Sequence, residues 1–121
     1  MAASGARYAD IDAVVLATGF HAQRQPYAEI VRGEDGMSLA DHWATGMTSF
    51  ASTVVAGFPN LFVLNGPNAA LGHNSAIYMI ETQLDYVLGA LDVLDAQDVR
   101  SIEVSAQAED AYTREIDERA A

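Results

Sequence analysis

The sequence has 121 residues, half of them hydrophobic, which suffices for one domain with a modest core but not for two nucleotide-binding domains and a substrate site. Its six cationic side chains, all arginine, face 17 carboxylates, and the net charge of -11 argues against nucleic acid or an anionic membrane as a partner. The absence of cysteine excludes disulfides, a thiolate nucleophile and a dithiol redox pair.

No apolar run approaches the roughly 18 residues of a membrane span, and the first residues lack the basic and apolar regions of a signal peptide. Together with the lack of cysteine, these features predict a cytoplasmic protein. The chain contains no internal repeat or linker that would divide it, so we expect a single domain.

The first predicted element is a short apolar run that closes on a glycine. Residues 11–19 read IDAVVLATG, which is typical of a buried strand followed by a tight turn. Residues 20–49 mix glycine, proline, histidine and charges without a sustained period, apart from a possible short element at 39–43. We expect this stretch to be an excursion outside the core.

A second strand candidate lies in the middle of the chain. Residues 53–55 favour β-structure, residues 57–60 have turn chemistry, and residues 61–64 (LFVL) indicate a buried strand. The chain then enters the sequence NGPN at 65–68. Both strand candidates therefore end at glycine-containing loops.

The clearest periodicity predicts an amphipathic helix from about 75 to 94, with Asn74 or Ser75 as its N-cap. Its apolar positions are Ile77, Ile80, Leu84, Val87, Leu88, Leu91 and Leu94. This stripe needs cover, and we expect an exposed hydrophobic surface that promotes association where the chain does not provide it. A strand-like segment at 101–104 leads to Ser105, the expected cap of a last, polar helix ending near 119.

The residues alone predict neither a metal site nor a catalytic residue. The histidines are scattered and no metal-binding or nucleophile motif occurs, so we expect structural or exposed roles for His21 and His42. What remains is a strand, a glycine-containing loop and a helix start, an arrangement that binds anionic or electron-rich ligands in open α/β sheets. The alternative is that the loop simply turns the chain.

Several sequence blocks occur together in a fixed order. Residues 12–20 read DAVVLATGF, residues 57–68 read GFPNLFVLNGPN, residues 71–75 read LGHNS and residues 78–83 read YMIETQ. Between the first two blocks lie Asp35, Gly36, Leu39 and Trp43. In this order the blocks resemble flavin-containing and Baeyer–Villiger monooxygenases, and the last two resemble the branch related to cyclohexanone and hydroxyacetophenone monooxygenases. The resemblance covers about residues 8–110.

The resemblance implies an α/β fold, the C-terminal portion of a Rossmann-like FAD-binding domain, incomplete, with a few short strands and two C-terminal helices. Residues 1–121 are then a single partial domain of an enzyme that uses FAD and NADPH. Such enzymes insert one oxygen atom of O2 into a ketone or soft heteroatom through a flavin C4a-peroxide. The positions that the resemblance places beside the cofactor are Ala17, Thr18, Gly19, Pro67, Asn68, Asn74, Ser75 and Ala76. Among them, the backbone at 74–76 is implied to meet the pyrimidine edge of the flavin.

Several parts of such an enzyme have no counterpart in the sequence. It contains no GxGxxG fingerprint, no second glycine-rich loop for NADPH and no FxGxxxHxxxWP signature, and Ser52 stands where the family usually has glycine. We therefore expect the chain alone to be inactive and to bind neither FAD nor NADPH tightly. Its expected partner is the missing FAD- and NADPH-binding half, or a second copy.

Two alternatives remain. The first is a non-enzymatic truncated module or remnant of that family, which binds a partner through the apolar face of the 75–94 helix. The second is a flavoprotein reductase that shares the FAD domain, and the LGHNS and YMIETQ blocks weaken this possibility.

Overall fold

Regular structure in the part of the chain that the structure describes is almost entirely helical. The computed structural model describes residues 12–17, 19, 25–69 and 75–120. Its helices are a 3-10 helix at Pro26–Glu29, α1 at Leu39–His42, α2 at Ala76–Gln97 and α3 at Ala106–Ala120. None of these helices is long and apolar enough to cross a membrane.

The strands expected from the apolar runs do not form in the described residues, where only isolated antiparallel bridges occur. Residues 12–17 have no regular structure, and Val14, Val15 and Leu16 are 76%, 86% and 82% exposed. In the segment 61–64, Phe62 alone forms a bridge, and 101–104 forms none. A strand needs a hydrogen-bonded neighbour, and a buried strand also needs a layer on each face. The prediction of short strands is therefore wrong for these residues, while the two C-terminal helices are confirmed.

The short element expected at 39–43 is α1, and its cap explains why it forms. Ser38 Oγ accepts a hydrogen bond from Asp41 N at 3.0 Å, which satisfies a free amide of the first turn. The helix thereby places Leu39 and Trp43 in the main apolar cluster. The other buried members of that cluster are Ala28, Val55 and Phe58. The stretch 20–49, expected to lie outside the core, in fact contributes to it through its described part.

α2 confirms the predicted amphipathic helix, with Ser75 as its N-cap. Ser75 Oγ accepts a hydrogen bond from Tyr78 N at 3.4 Å. The helix ends at Gln97, beyond the predicted end near 94, because Asp98 adopts the left-handed conformation with φ of 49°. Within the helix only Gln83 and Ala90 are buried.

Most of the apolar stripe of α2 faces solvent. Four of its members, Ile77, Leu84, Leu88 and Leu91, are 72%, 43%, 58% and 45% exposed. The described part of the chain therefore leaves this surface uncovered, as the sequence predicted.

A buried carboxylate ties α3 to the middle of the chain. Glu109 is 4% exposed, and its carboxylate accepts hydrogen bonds from Thr48 Oγ1 and from Ala56 N, both at 2.6 Å. His42 Nε2 lies 3.7 Å from the same carboxylate, so His42 has a structural position, in agreement with the prediction. Ser105 caps α3, because its Oγ accepts from Ala108 N at 3.3 Å.

Replacing Glu109 with alanine should lower the free energy of unfolding by about 2 to 4 kcal/mol, since the hydroxyl of Thr48 and the buried amide of Ala56 lose their acceptor. Glu115→Ala is the matched control in the same helix, because Glu115 pairs with Arg119 at the surface and its loss should cost about 0.5 kcal/mol or less. Urea denaturation of both variants measures the difference. Equal losses would show that Glu109 does not anchor α3.

Candidate cofactor-contact site

The start of α2 has backbone amides without an acceptor in the part of the chain that the structure describes. The amides of Ala76 and Ile77 belong to the first helical turn, which has no intrahelical acceptor for them, and no acceptor for them lies among the described residues. Ser75, Ala76 and Ile77 are all exposed. A helix start of this kind attracts negative charge through its amides and its dipole. Its geometry therefore fits the electron-rich pyrimidine edge of a flavin.

The loop 65–68 has a tightly specified backbone. Asn65 and Asn68 have positive φ of 53° and 65°, which asparagine adopts more readily than most residues. Pro67 between them is buried, and Asn68 is exposed. A Cβ added to Gly66 would lie 2.5 Å from the carbonyl oxygen of Ser52, so the loop packs directly against the turn at 50–53.

A buried side-chain amide joins α2 to this loop and this turn. Gln83 is 3% exposed. Its Oε1 accepts a hydrogen bond from Asn65 N at 2.8 Å, and its Nε2 donates to Ser52 O at 2.7 Å and to Thr53 Oγ1 at 2.9 Å. The sequence analysis assigned no role to Gln83. One signal was available, because a glutamine spaced three from Ile80 and four from Val87 lies on the apolar face of the helix.

The loop also forms one wall of a cavity of about 840 Å3. Tyr27 and Trp43 form another part of the lining, with their rings in edge-to-face contact at a centroid distance of 6.5 Å. Burial raises the pKa of the Tyr27 phenol above its ordinary value. Of the predicted site residues that the structure describes, Pro67 and Asn68 line this cavity.

The remaining predicted site residues lie on other segments. Ala17 and Gly19 are exposed, and Gly19 has a φ of 79° with no heavy atom within 4 Å of an added Cβ. Backbone can therefore approach a ligand closely there. Thr18 and Asn74 fall outside the described residues. No group of three or more acidic or histidine side chains in the described part is placed to hold a metal ion.

Comparison with known proteins identifies relatives of this arrangement. No protein-family model matches the sequence. A Baeyer–Villiger monooxygenase of Pseudomonas aeruginosa is 44% identical over 106 residues, which is 88% of this chain and 20% of that protein. The chain is homologous to one part of the Baeyer–Villiger monooxygenases. It spans about a fifth of the length of that relative.

Solved structures of these monooxygenases support the relationship. Cyclohexanone monooxygenase from Rhodococcus sp. Phi1, bound to NADP+, matches with a TM-score of 0.61 and 32% identity over 69% of this chain and 15% of that one. The protein OTEMO in complex with FAD and NADP matches with a TM-score of 0.64 and 27% identity over 73% of this chain and 16% of that one. The expected resemblance is thus confirmed, and the matched structures include one bound to NADP+ and one in complex with FAD and NADP.

Ser52, at a position where the resemblance implies glycine, has a backbone conformation that suits glycine. Ala51 and Ser52 both have positive φ, of 50° and 55°. The turn closes through a hydrogen bond from Thr53 N to Phe50 O at 3.0 Å. The backbone of this turn therefore adopts a left-handed conformation without the glycine, at a cost of roughly 1 to 2 kcal/mol for each such residue.

Ser52→Gly should raise the free energy of unfolding by roughly 0.5 to 1 kcal/mol, because relief of the left-handed strain exceeds the greater unfolded-state entropy of glycine. The contrasting variant is Gly66→Ala, whose added methyl group meets Ser52 O and should cost roughly 1 to 3 kcal/mol. Denaturant titration measures both changes. A destabilised Ser52→Gly variant would contradict the assigned turn conformation.

Proposed function

We propose that the chain is the final part of the Rossmann-like FAD domain of an FAD- and NADPH-dependent monooxygenase of the Baeyer–Villiger type. Residues 1–121 form a single partial domain in this proposal. The observation that carries it is the solvent-facing start of α2, with the amides of Ala76 and Ile77 free of acceptors in the described part of a chain homologous to these enzymes. When bound, FAD supplies the activation of O2 for insertion of one oxygen atom into a ketone or soft heteroatom.

The residues of this chain would hold and orient the flavin. The backbone at Ser75 and Ala76, with Asn74 beside them, would donate to the pyrimidine edge, where negative charge develops on reduction. A helix start stabilises such charge by roughly 0.3 to 2 kcal/mol.

The other predicted contacts would shape the approach to the ring. Pro67 and Asn68 would set the path of the loop beside the flavin, with Pro67 buried and Asn68 free to face a ligand. Ala17, Thr18 and Gly19 would lie along the cofactor, where the open space at Gly19 permits close approach. No side chain of this chain is proposed as a catalytic residue.

The partner in this proposal is the FAD- and NADPH-binding remainder of the enzyme. Two apolar surfaces support this choice: the stripe of α2 and the exposed run at 14–16. Both are the kind of surface that adjoining strands and helices of an α/β domain bury. A second copy is disfavoured because each copy has a net charge of -11, to which Glu81, Asp85, Asp92 and Asp95 of α2 contribute without a cation in that helix.

The second candidate function is a non-enzymatic module of the same family. The exposed stripe of α2 favours it, because an apolar surface of this kind binds a protein partner without any flavin. The two functions differ in one measurable respect, which is FAD binding by the complex. A non-enzymatic module needs no cofactor once it is bound to its partner.

The chain alone should bind FAD weakly, since it lacks the glycine loop that holds the pyrophosphate. Gel filtration of the purified chain with FAD should therefore separate the flavin absorbance from the protein. A second experiment tests binding in a complete enzyme. In it, this chain replaces the segment that it matches in the Pseudomonas aeruginosa monooxygenase. That chimera should retain FAD and oxidise NADPH, with the unaltered relative as control. A folded chimera without FAD would contradict the proposed function.

Ala76→Pro tests the proposed amide contact. Proline is tolerated at the first helical position, so this variant removes one amide while α2 remains intact. The measurement uses the reassembled enzyme, meaning this chain combined with the FAD- and NADPH-binding remainder. Its flavin reduction potential should fall by up to roughly 40 mV, because the reduced ring loses a stabilising donor. Potentiometric titration measures the shift. An unchanged potential would contradict the proposed contact between the Ala76 amide and the flavin.

Leu88→Ala tests the proposed partner surface in the same helix. Leu88 is 58% exposed in this chain, so its truncation should cost less than about 1 kcal/mol in the isolated chain. In the reassembled enzyme the same truncation should cost about 2 to 5 kcal/mol, with no change in flavin potential, because the partner buries the side chain. Thermal and denaturant unfolding of both forms measure the difference. An equal cost in the two forms would show that the partner does not cover this face.

A further inference from the structure

Gln83 is a buried polar residue whose side-chain amide is fully hydrogen-bonded. The side chain is 3% exposed and lies among the apolar positions of α2, where an unpaired amide would be costly. All its polar atoms are paired within the described residues, with Asn65 N, Ser52 O and Thr53 Oγ1.

The hydroxyl of Thr53 fixes the orientation of this amide. Thr53 Oγ1 donates to Ala51 O at 2.8 Å, so it is available to Gln83 as an acceptor. The nitrogen of Gln83 must therefore face Thr53 and Ser52, and its oxygen must face the amide of Asn65. A carboxylate at position 83 lacks the donors, and an apolar side chain lacks both functions.

These bonds link the two segments to which flavin contacts are assigned. Asn65 N begins the loop that contains Pro67 and Asn68. Gln83 lies eight residues from Ser75 along α2, which corresponds to about 12 Å of continuous helix. Because the helix is stiff over this length, fixing Gln83 against Asn65 also fixes the start of α2 relative to the loop.

We propose that Gln83 is a positioning residue, which sets the placement of the 65–68 loop relative to the amides at the start of α2. It does not touch the flavin, and it acts through Asn65 and Ser52. The effect of Gln83 on the flavin rests on the proposed function. The hydrogen-bonded link between α2 and the 65–68 loop is a property of this chain alone.

Amide hydrogen exchange of the purified chain, followed by NMR, tests the linkage without any flavin. In Gln83→Met, the Asn65 amide should exchange at least about tenfold faster than in the wild type, as expected when a hydrogen bond to a buried acceptor is lost. In Gln83→Glu, which keeps the acceptor, Asn65 should stay protected. The loss of the donors to Ser52 O and Thr53 Oγ1 should loosen the turn at 50–53, so that the Thr53 amide, which donates to Phe50 O, exchanges faster. Glu109→Gln is the control, because it perturbs a buried polar side chain at a separate site and should leave Asn65 unchanged.

The flavin arm uses the reassembled FAD-bound enzyme. Gln83→Met should change both the flavin reduction potential and its visible circular dichroism, and Glu109→Gln should change neither.

Asn65 exchange within about twofold of the wild type in Gln83→Met overturns the linkage. Faster exchange with an unchanged potential and dichroism shows a purely structural residue and overturns the positioning role. A wild-type assembly that binds no FAD refutes the proposed function and with it the flavin role, whereas the exchange result still decides the linkage.

Discussion

The buried amide of Gln83 determines how α2 sits on the chain. Because the apolar stripe of α2 is largely uncovered, hydrophobic burial alone does not select one register for this helix. The amide does so, because sliding the helix by one turn would break its bonds to Asn65, Ser52 and Thr53 together. Directional polar contacts thus give the helix a defined position where packing would leave it free.

α3 is held in place in the same way. Its one buried side chain is Glu109, whose carboxylate is satisfied by Thr48 and Ala56. Both C-terminal helices are therefore anchored by a buried polar group, and the apolar stripe of α2 remains available. Such an arrangement suits a segment whose hydrophobic cover comes from elsewhere, which agrees with homology to a fifth of a larger monooxygenase.

The features that the sequence predicted correctly are local ones. α2 and its Ser75 cap follow from apolar periodicity and a short side-chain acceptor, and the cap of α3 at Ser105 has the same origin. The strand at 11–19 was wrong for its described residues, because an apolar run becomes a strand only beside a partner strand. Gln83 and Glu109 were missed because their partners lie far away in sequence. Ser52 was noted because the resemblance implies glycine there, and its left-handed φ shows a backbone conformation that suits glycine.

The most direct measurement is hydrogen exchange of this chain in three states: alone, with the FAD- and NADPH-binding remainder of the enzyme, and with that remainder plus FAD. If the chain completes a flavin domain, adding the remainder protects the amides of 84–94 beneath the apolar stripe. Adding FAD then further protects the amides of Ala76 and Ile77 at the helix start. Unchanged exchange at both places in all three states would contradict the assignment of this chain to a flavin-binding monooxygenase.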